Sequence, residues 1–507
     1  MTATSSAAAT AAPRVEGARA LEPVARGVLV VAAAKVAFFL AIAGVWGIHR
    51  DEFYYLAGGR RLDWGYVDHP PVTPLLYRVG DIVFGSSQVG MHTMPALLAG
   101  VLVIVAALLA RELGGGRTAQ VIAAMGVAVA PMFLTTSHFT STVTVDILSW
   151  SIGLLLLARL LRTRDERLWP AIGVVAAVGL LNKNTMLFWG IGIAGGLLFT
   201  KDRSLLRSRW LLGGALIAGV ALLPYLAWQV HYDWPTVEFL RSLQSHTDDI
   251  SNPILYFPYQ LVLLGPLLAV IWIPGLLWLL RSDEARRFRA IGTGYLVVLL
   301  LLFVLRGKAY YVASWYPALF AAGSVRLESV GRRSLRTYMA VLVFAGLTAA
   351  PFALPLVPSD SSAARSIAGQ NAELGEMVGW DELAQQVADV AHSLPADEQA
   401  QLTILTENYS EAGAVEFWRT SLGLPQPIAR QNSYWLWGFG PAHENGTVVA
   451  VGFAREELTP FFTDIQLAGT VTNSERIHNK EYGHEIVICR GQRVPWATIW
   501  PLIKQFN

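Results

Sequence analysis

Residues 46–76 read WGIHRDEFYYLAGGRRLDWGYVDHPPVTPLL, and they follow directly on the first long apolar run of the chain. The stretch opens with an acidic pair, Asp51 and Glu52. A carboxylate pair at the end of a membrane span costs free energy unless it is solvated or used. Asp68 and His69 come before two prolines, which favour an extended backbone at that corner. We therefore expect chemistry in this loop.

The composition around this stretch is that of a membrane protein. Of the 507 residues, 53% are hydrophobic and 15% are charged, whereas soluble domains carry about 25% charged residues. The mean hydropathy is +0.43, and the net charge of +2 gives no indication of nucleic-acid binding. Cys489 is the only cysteine, so an exported domain would have to rely on its own core rather than on an internal disulfide.

Apolar runs of about 20 residues, the length that crosses a bilayer, recur along the chain up to residue 356. They predict eleven transmembrane helices in a membrane module at 27–356, preceded by a disordered cytoplasmic tail at 1–26. The predicted spans are 27–47, 89–110, 119–134, 146–160, 169–182, 186–200, 210–228, 257–280, 290–305, 311–325 and 337–356.

Positively charged residues predict the orientation of these spans. The segments on one side of the predicted membrane hold 21 Lys and Arg residues, and those on the other side hold 8. By the positive-inside rule the N-terminus is cytoplasmic, and the loop 48–88 is extracytoplasmic. An odd number of spans places the C-terminal region outside as well. We expect a multi-pass protein of the plasma membrane.

The composition changes after the last predicted span. Residues 357–372 are rich in Pro, Ser and Ala and predict a linker, and residues 373–507 predict an extracytoplasmic α/β domain. A helix-like stretch occupies Asp381 to His392. Short β-like runs follow at 402–405, 448–452 and 485–488. The predicted fold is thus an α-helical polytopic membrane protein with a C-terminal α/β domain.

Further motifs occur in a definite order along the chain. They are Thr144-Val145-Asp146, Leu181-Asn182-Lys183, Pro224 to Trp228 with His231-Tyr232-Asp233-Trp234-Pro235, Lys308-Ala309-Tyr310-Tyr311 with Tyr316-Pro317, Glu407-Asn408-Tyr409, Ser433 to Gly438, and Cys489-Arg490-Gly491. With the acidic pair and the His-Pro-Pro corner, this order resembles the GT-C glycosyltransferases of the family 39 type. That group contains the protein O-mannosyltransferases and the lipid A aminoarabinose transferases. The resemblance covers roughly residues 40–330.

The resemblance implies an inverting glycosyltransferase that moves a sugar from a polyprenyl-phosphate-linked donor to an extracytoplasmic acceptor. The acceptor would be a protein, a lipid or a cell-envelope glycan. In this family the first acid of the pair is the catalytic base, which assigns that role to Asp51, with Glu52 supporting the same site. The chemistry is consistent, because a phosphate leaving group needs cations rather than a proton.

The resemblance also implies two larger sets of site residues. The candidate ligands of the donor phosphate are His69, Lys183, Arg241, Arg306 and Lys308. The candidate residues of the substrate cavity are Tyr54, Tyr55, Asp68, Asp146, His231, Tyr310 and Tyr311. Some relatives use a divalent metal ion and others none, and the possible ligands here are Asp51, Asp68 and Asp146. The chain departs from the aminoarabinose transferases at His69, where those enzymes have a lysine.

Plainer interpretations remain open for single residues and for the whole chain. Lys183 can snorkel to the membrane surface, Asp146 can cap a helix, and the paired tyrosines can anchor the interface. A polymerase or ligase of lipid-linked glycans is one alternative function, and a transporter or flippase for such lipids is another. A transporter predicts charges near mid-membrane, whereas nearly all charges here, apart from Lys183, lie at span ends.

Overall fold

The protein is described from a computed structural model, which covers residues 21–246, 253–329 and 332–507. Most of the predicted tail 1–26 therefore lies outside the described residues. So do residues 247–252 of the predicted outer loop 229–256 and residues 330–331 of a predicted inner segment. The described chain is mainly helical, and a small sheet forms in its C-terminal part.

The described residues of 27–356, for which the sequence predicts a membrane module, form helices and their connections. Its helices are α1 (Arg26–Ala41), α2 (Arg50–Arg60), α3 (Val72–Phe84), α4 (Gln88–Glu112), α5 (Arg117–Val129), α6 (Pro131–His138), α7 (Thr142–Thr163), α8 (Trp169–Leu180), α9 (Met186–Leu198), α10 (Arg209–His231), α11 (Pro235–His246), α12 (Pro253–Leu264), α13 (Ala269–Arg281), α14 (Arg289–Val304), α15 (Tyr316–Glu328) and α16 (Arg332–Ala353). Short 3₁₀ turns lie between several of them, including Ala309–Trp315 before α15.

Each predicted span coincides with one of these helices or with a bent pair of them. By length and composition, five helices in the described part of the chain could cross a membrane, or up to seven if each bent pair is one span. The five are Gln88–Glu112, Thr142–Thr163, Arg209–His231, Arg286–Val304 and Arg336–Ala353. The difference from eleven arises because α1, α8, α9 and α15 are shorter than 18 residues. The number eleven stays a prediction.

The predicted span 119–134 is broken into α5 and α6, which meet at 65°. Pro131 has no N–H group, so the carbonyl of Val127 loses its helical donor. The buried Lys35 of α1 compensates, because its Nζ donates to the carbonyl oxygens of Val127 at 3.4 Å and Phe133 at 3.3 Å. Lys35 therefore holds the break, and besides Lys183 it is a second basic residue away from the ends of the predicted spans.

Residues 373–507, which the sequence predicts to form an extracytoplasmic domain and which we call the outer domain, contain a five-stranded sheet in the order β2-β1-β3-β5-β4. The strands are β1 (Thr403–Thr406), β2 (Ile428–Ala429), β3 (Val448–Val451), β4 (Phe462–Thr470) and β5 (Glu485–Gln492). β1 pairs in parallel with β2 and β3, and β5 runs antiparallel to β3 and β4. The predicted β-like runs and the predicted helix at 381–392 are confirmed.

Helices fill the rest of the C-terminal part of the chain. They are α17 (Ser362–Gln370), α18 (Ala372–Gly375), α19 (Trp380–His392), α20 (Ala396–Gln399), α21 (Tyr409–Leu422), α22 (Asn432–Leu436), α23 (Arg455–Leu458) and α24 (Trp496–Leu502). α17 lies inside the stretch 357–372, for which the composition predicts a linker. The predicted loop 48–88 likewise contains α2 and α3.

The outer domain and α2 share one hydrophobic core. Phe53 of α2 packs against the rings of Trp380, Phe417 and Trp418 with centroid distances of 5.9, 5.5 and 5.4 Å. α21 approaches so closely that a Cβ added at Gly413 would lie 2.6 Å from the Cβ of Phe53. The outer domain is therefore packed directly on the helix that carries the acidic pair.

Candidate active site

The first turn of α2 holds the acidic pair in a capping box. The ring Nδ1 of His49 accepts a hydrogen bond from the backbone N–H of Asp51 at 3.2 Å. In return the Glu52 carboxylate accepts one from the backbone N–H of His49 at 3.0 Å. Such reciprocal bonds satisfy amides that a helix N-terminus otherwise leaves unpaired. They also fix the directions in which the two acids point.

Glu52 points into the protein and is 0% exposed. Its carboxylate accepts further hydrogen bonds from the Tyr77 hydroxyl of α3 at 2.9 Å and lies 2.9 Å from His92 Nε2 of α4. Burial raises the pKa of Glu52, but His92 and the His49 amide outweigh it and hold the pKa below its ordinary value. Both oxygens are engaged, so Glu52 joins three helices and is shielded from any substrate.

Asp51 points the other way and keeps 31% of its side chain exposed. Its Oδ1 accepts a hydrogen bond from the hydroxyl of Tyr409, which begins α21 of the outer domain, at 2.9 Å. The Arg50 guanidinium lies 3.9 Å from the same oxygen. Of the acidic pair, Asp51 is thus the carboxylate that a substrate can reach.

The second acid of the loop, Asp68, lies beside the same tyrosines. The Tyr54 hydroxyl donates to Asp68 Oδ1 at 2.8 Å, and the Tyr54 ring stacks on Tyr409 with centroids 4.6 Å apart. His69 is buried, with Nε2 3.8 Å from Asp68 Oδ1 and its ring 5.1 Å from that of Tyr55. Burial raises the pKa of Asp68. This corner is therefore enclosed by aromatic side chains.

A third group joins α7, the turn after α8 and the segment before α15. Asp146 accepts hydrogen bonds from Thr185 at 2.9 Å and from Ser314 at 3.0 Å. Lys183 Nζ lies 5.4 Å from the ring centroid of Tyr310 and 5.0 Å from that of Tyr311. Aromatic faces attract an ammonium group at this range. Lys183 is thus held beside the two tyrosines.

Lys308 connects this third group with Asp51. Burial lowers the pKa of Lys308, while the carboxylates of Glu373 and Asp51 are near enough to raise it. Asp51 is also near enough to contribute to the raised pKa of Tyr310, for which burial is the main cause. The Asp51 carboxylate, the Lys308 ammonium group and the Tyr310 hydroxyl are therefore close enough to interact electrostatically.

Three predicted residues lie at the surface. Arg241 is exposed on α11, and His231 is exposed at the end of α10 with its ring against Tyr232. Arg306 is exposed after α14 in a left-handed conformation with φ of 53°. Arg241 and Arg306 were predicted for the phosphate site and His231 for the substrate cavity, and the prediction did not include the direction of their side chains.

The possible metal ligands Asp51, Asp68 and Asp146 do not form a joint site. Within 21–246, 253–329 and 332–507, no group of three or more His, Cys, Asp or Glu side chains is arranged to hold a metal ion. The carboxylates of Asp68 and Asp146 instead accept hydrogen bonds from neighbouring hydroxyl groups.

Two site residues were not among the predicted ones, Tyr409 and Arg50. The motif Glu407-Asn408-Tyr409 contained a usable signal, because it directly follows a β-like run and has an Asn that can cap a helix. Residues at the carboxyl ends of parallel strands often form binding sites. The sequence does not indicate that this edge of the sheet faces α2.

Arg50 is buried where α2 meets the outer domain. Its Nε donates to Ser410 Oγ at 3.0 Å, and its Nη1 lies 3.4 Å from Glu376 and 3.8 Å from Glu481. Burial raises the pKa of Glu481 to about 7, although Arg50 acts to lower it. One oxygen of Glu481 is buried without a hydrogen-bond partner among the described residues. This carboxylate is therefore poorly satisfied when it is ionised.

We expect Glu52→Ala to lower the free energy of unfolding by about 3 kcal/mol, because it leaves His92, Tyr77 and a helix N-terminus without their acceptor. Asp51→Asn is the matched control and should cost about 1 kcal/mol or less, since this neighbouring side chain is partly exposed. Denaturant titration of the detergent-solubilised protein measures both values. Equal losses for the two variants would contradict the assigned roles.

The Glu481 carboxyl should make stability depend on pH. Because the folded pKa of about 7 lies above the ordinary value of 4.5, stability falls as pH rises between these values. We expect Glu481→Gln to stabilise the protein at pH 8 by on the order of 2 kcal/mol more than at pH 5. Thermal unfolding at both pH values measures this, with the exposed Glu456→Gln as the control. A difference that does not change with pH would contradict it.

Known proteins share parts of the sequence and the fold of this chain. A family profile described as dolichyl-phosphate-mannose-protein mannosyltransferase matches residues 68–228. No curated protein sequence matches the chain. The solved structure of ArnT from Cupriavidus metallidurans bound to undecaprenyl phosphate is similar, with a TM-score of 0.62 and 16% identity over 92% of this chain and 98% of that chain.

Two further solved structures resemble the chain. The apo state of the same ArnT gives a TM-score of 0.62 at 15% identity, over 91% of this chain and 98% of that chain. Arabinofuranosyltransferase AftD from Mycobacteria gives 0.50 at 14% identity, over 92% of this chain and 42% of that chain. The prediction of a glycosyltransferase agrees with these matches. The predicted resemblance is confirmed: the chain has the fold of the GT-C glycosyltransferases and resembles their family 39 type.

Proposed function

We propose that the protein is an inverting glycosyltransferase that moves a sugar from a polyprenyl-phosphate donor to a hydroxyl group of an extracytoplasmic acceptor. The observation that carries the proposal is the partly exposed carboxylate of Asp51, which lies near enough to Lys308 and Tyr310 to interact with both electrostatically. A base and a cation close together are what this displacement needs.

The proposed step is a direct displacement. The acceptor hydroxyl loses its proton to Asp51 while its oxygen forms a bond to the anomeric carbon of the sugar. The bond from that carbon to the phosphate oxygen breaks, and its electron pair leaves with the polyprenyl phosphate. Since attack and departure occur on opposite faces of the sugar, one displacement inverts the anomeric configuration.

Lys183 and Lys308 are the proposed ligands of the phosphate. Lys183 lies against Tyr310 and Tyr311, whose hydroxyl groups can add hydrogen bonds to the phosphate oxygens. Burial lowers the pKa of Lys183 to about 8, and the nearby carboxylate of Asp146 partly offsets this effect. We do not propose the other three candidates as direct ligands of the phosphate. His69 is enclosed by tyrosines, and Arg241 and Arg306 are exposed.

The polyprenyl carrier is supported by the similar fold of ArnT, a protein whose solved structure contains undecaprenyl phosphate. The exposed apolar side chains of α10, such as Leu212, Leu216 and Val220, suit contact with lipid. The excess of Lys and Arg in one set of segments supports a cytoplasmic N-terminus, with the loop 48–88 and the outer domain on the extracytoplasmic face.

We expect Asp51→Asn to lower transfer by about a hundredfold or more, because removal of a general base has that effect. The assay follows release of free polyprenyl phosphate from a panel of radiolabelled polyprenyl-phosphate sugars, in lipid and with crude envelope extract as the acceptor source. Asp63→Asn is the control, an exposed aspartate of the same loop that binds Trp228 Nε1. Full activity of folded Asp51→Asn would refute the assigned base.

We expect Lys183→Met to weaken inhibition by free polyprenyl phosphate by about tenfold, since a hydrogen bond to a charged group is lost. Lys201→Met is the control, because Lys201 follows the opposite end of α9 and is exposed. Lys183→Arg should restore part of the binding. Unchanged inhibition of Lys183→Met would remove Lys183 from the phosphate site.

A further inference from the structure

The outer domain contributes one side chain directly to the acidic pair, Tyr409. It is the first residue of α21, and its hydroxyl donates to Asp51 Oδ1 at 2.9 Å. Asn408 caps this helix by accepting hydrogen bonds from the backbone N–H groups of Ser410 and Glu411 at 2.9 and 3.0 Å. The backbone that carries Tyr409 is thus fixed at the carboxyl end of β1.

The ring of Tyr409 also contacts two side chains of α2. Tyr54 stacks on it with an interplanar angle of 30°, and the Arg50 guanidinium lies 5.4 Å from its centroid. Burial raises the pKa of Tyr409 well above its ordinary value, and the Asp51 carboxylate raises it further. The hydroxyl therefore keeps its proton at physiological pH and acts as a donor.

We propose that Tyr409 is a positioning residue for the transfer reaction, which orients Asp51 by holding Oδ1 so that Oδ2 receives the proton of the acceptor. The outer domain is then part of the catalytic site rather than a separate module that only selects acceptors. This inference rests on the proposed function of Asp51. It follows from a hydrogen bond between residues 358 positions apart in the chain.

Loss of the Tyr409 hydroxyl should lower the rate of transfer without weakening the binding of the donor. It frees the Asp51 carboxylate to turn, but it leaves the proposed phosphate ligands in place. Tyr409→Phe removes the hydroxyl and retains the ring that contacts Tyr54 and Arg50.

The chain offers a matched control in Tyr434. This residue is also buried in the outer domain near Tyr54, and its hydroxyl donates to a carboxylate, that of Glu416, at 2.8 Å. Glu416 has no place in the proposed reaction. Tyr434→Phe therefore reproduces the loss of a buried tyrosine-to-carboxylate hydrogen bond without touching Asp51.

The first measurement does not depend on turnover. Full-length protein in lipid nanodiscs is titrated with free polyprenyl phosphate. We expect the wild type, Tyr409→Phe and Tyr434→Phe to bind it with Kd values within about twofold of one another, because none of these changes touches the proposed phosphate ligands.

The second measurement is the steady-state kinetics of transfer at neutral pH. We expect kcat in Tyr409→Phe to be about tenfold lower than in the wild type, with KM for the donor within about twofold. Difluorotyrosine at position 409, which keeps a hydroxyl donor on the ring, should restore most of kcat. Tyr434→Phe should match the wild type.

The outcomes separate the two proposals. If kcat of Tyr409→Phe equals that of the wild type while Asp51→Asn is inactive, the positioning role is refuted and the base remains. An equal loss of kcat in Tyr434→Phe would also refute it. If Asp51→Asn transfers at the full rate, both the base and the positioning role are refuted.

Discussion

The buried carboxylate of Glu52 is the constraint on which the candidate site depends. An ionised group in a dry interior is tolerated only where hydrogen bonds satisfy its oxygens. Three partners do so here: the amide of His49 within α2 itself, Tyr77 from α3 and His92 from α4. Because these bonds fix the first turn of α2, the neighbouring Asp51 has to point to another face, where it stays partly exposed.

Packing extends this constraint into the outer domain. α2 presents Phe53 to a cluster of aromatic rings and Arg50 to a group of buried carboxylates. Buried ion pairs need good geometry to offset the loss of hydration. The docked domain brings Tyr409 to Asp51, so side chains from distant parts of the chain meet at the acidic pair.

Parts of the site could be predicted from sequence because the chemistry restricts residue types. Motifs at the ends of apolar runs contain Asp51, Lys183, Lys308 and the tyrosines at 310 and 311. The sequence could therefore predict that these residues lie together. Arg241, Arg306 and His231 satisfied the same criterion of charge in an outer segment, yet they lie exposed. Charge and segment are readable from sequence, whereas the direction of a side chain depends on helix rotation and packing.

The sequence by itself determined the helical membrane class, the positions of the long apolar helices and the α/β character of the C-terminal part. Apolar length, hydropathy and strand periodicity are local properties, so they can be read without knowing any long-range contact. Only the tertiary structure decided that Glu52 is enclosed while Asp51 is accessible, that α5 and α6 bend at Pro131, and that Tyr409 reaches the acidic pair. These features depend on contacts between residues far apart in the chain, and local sequence patterns carry no record of such contacts.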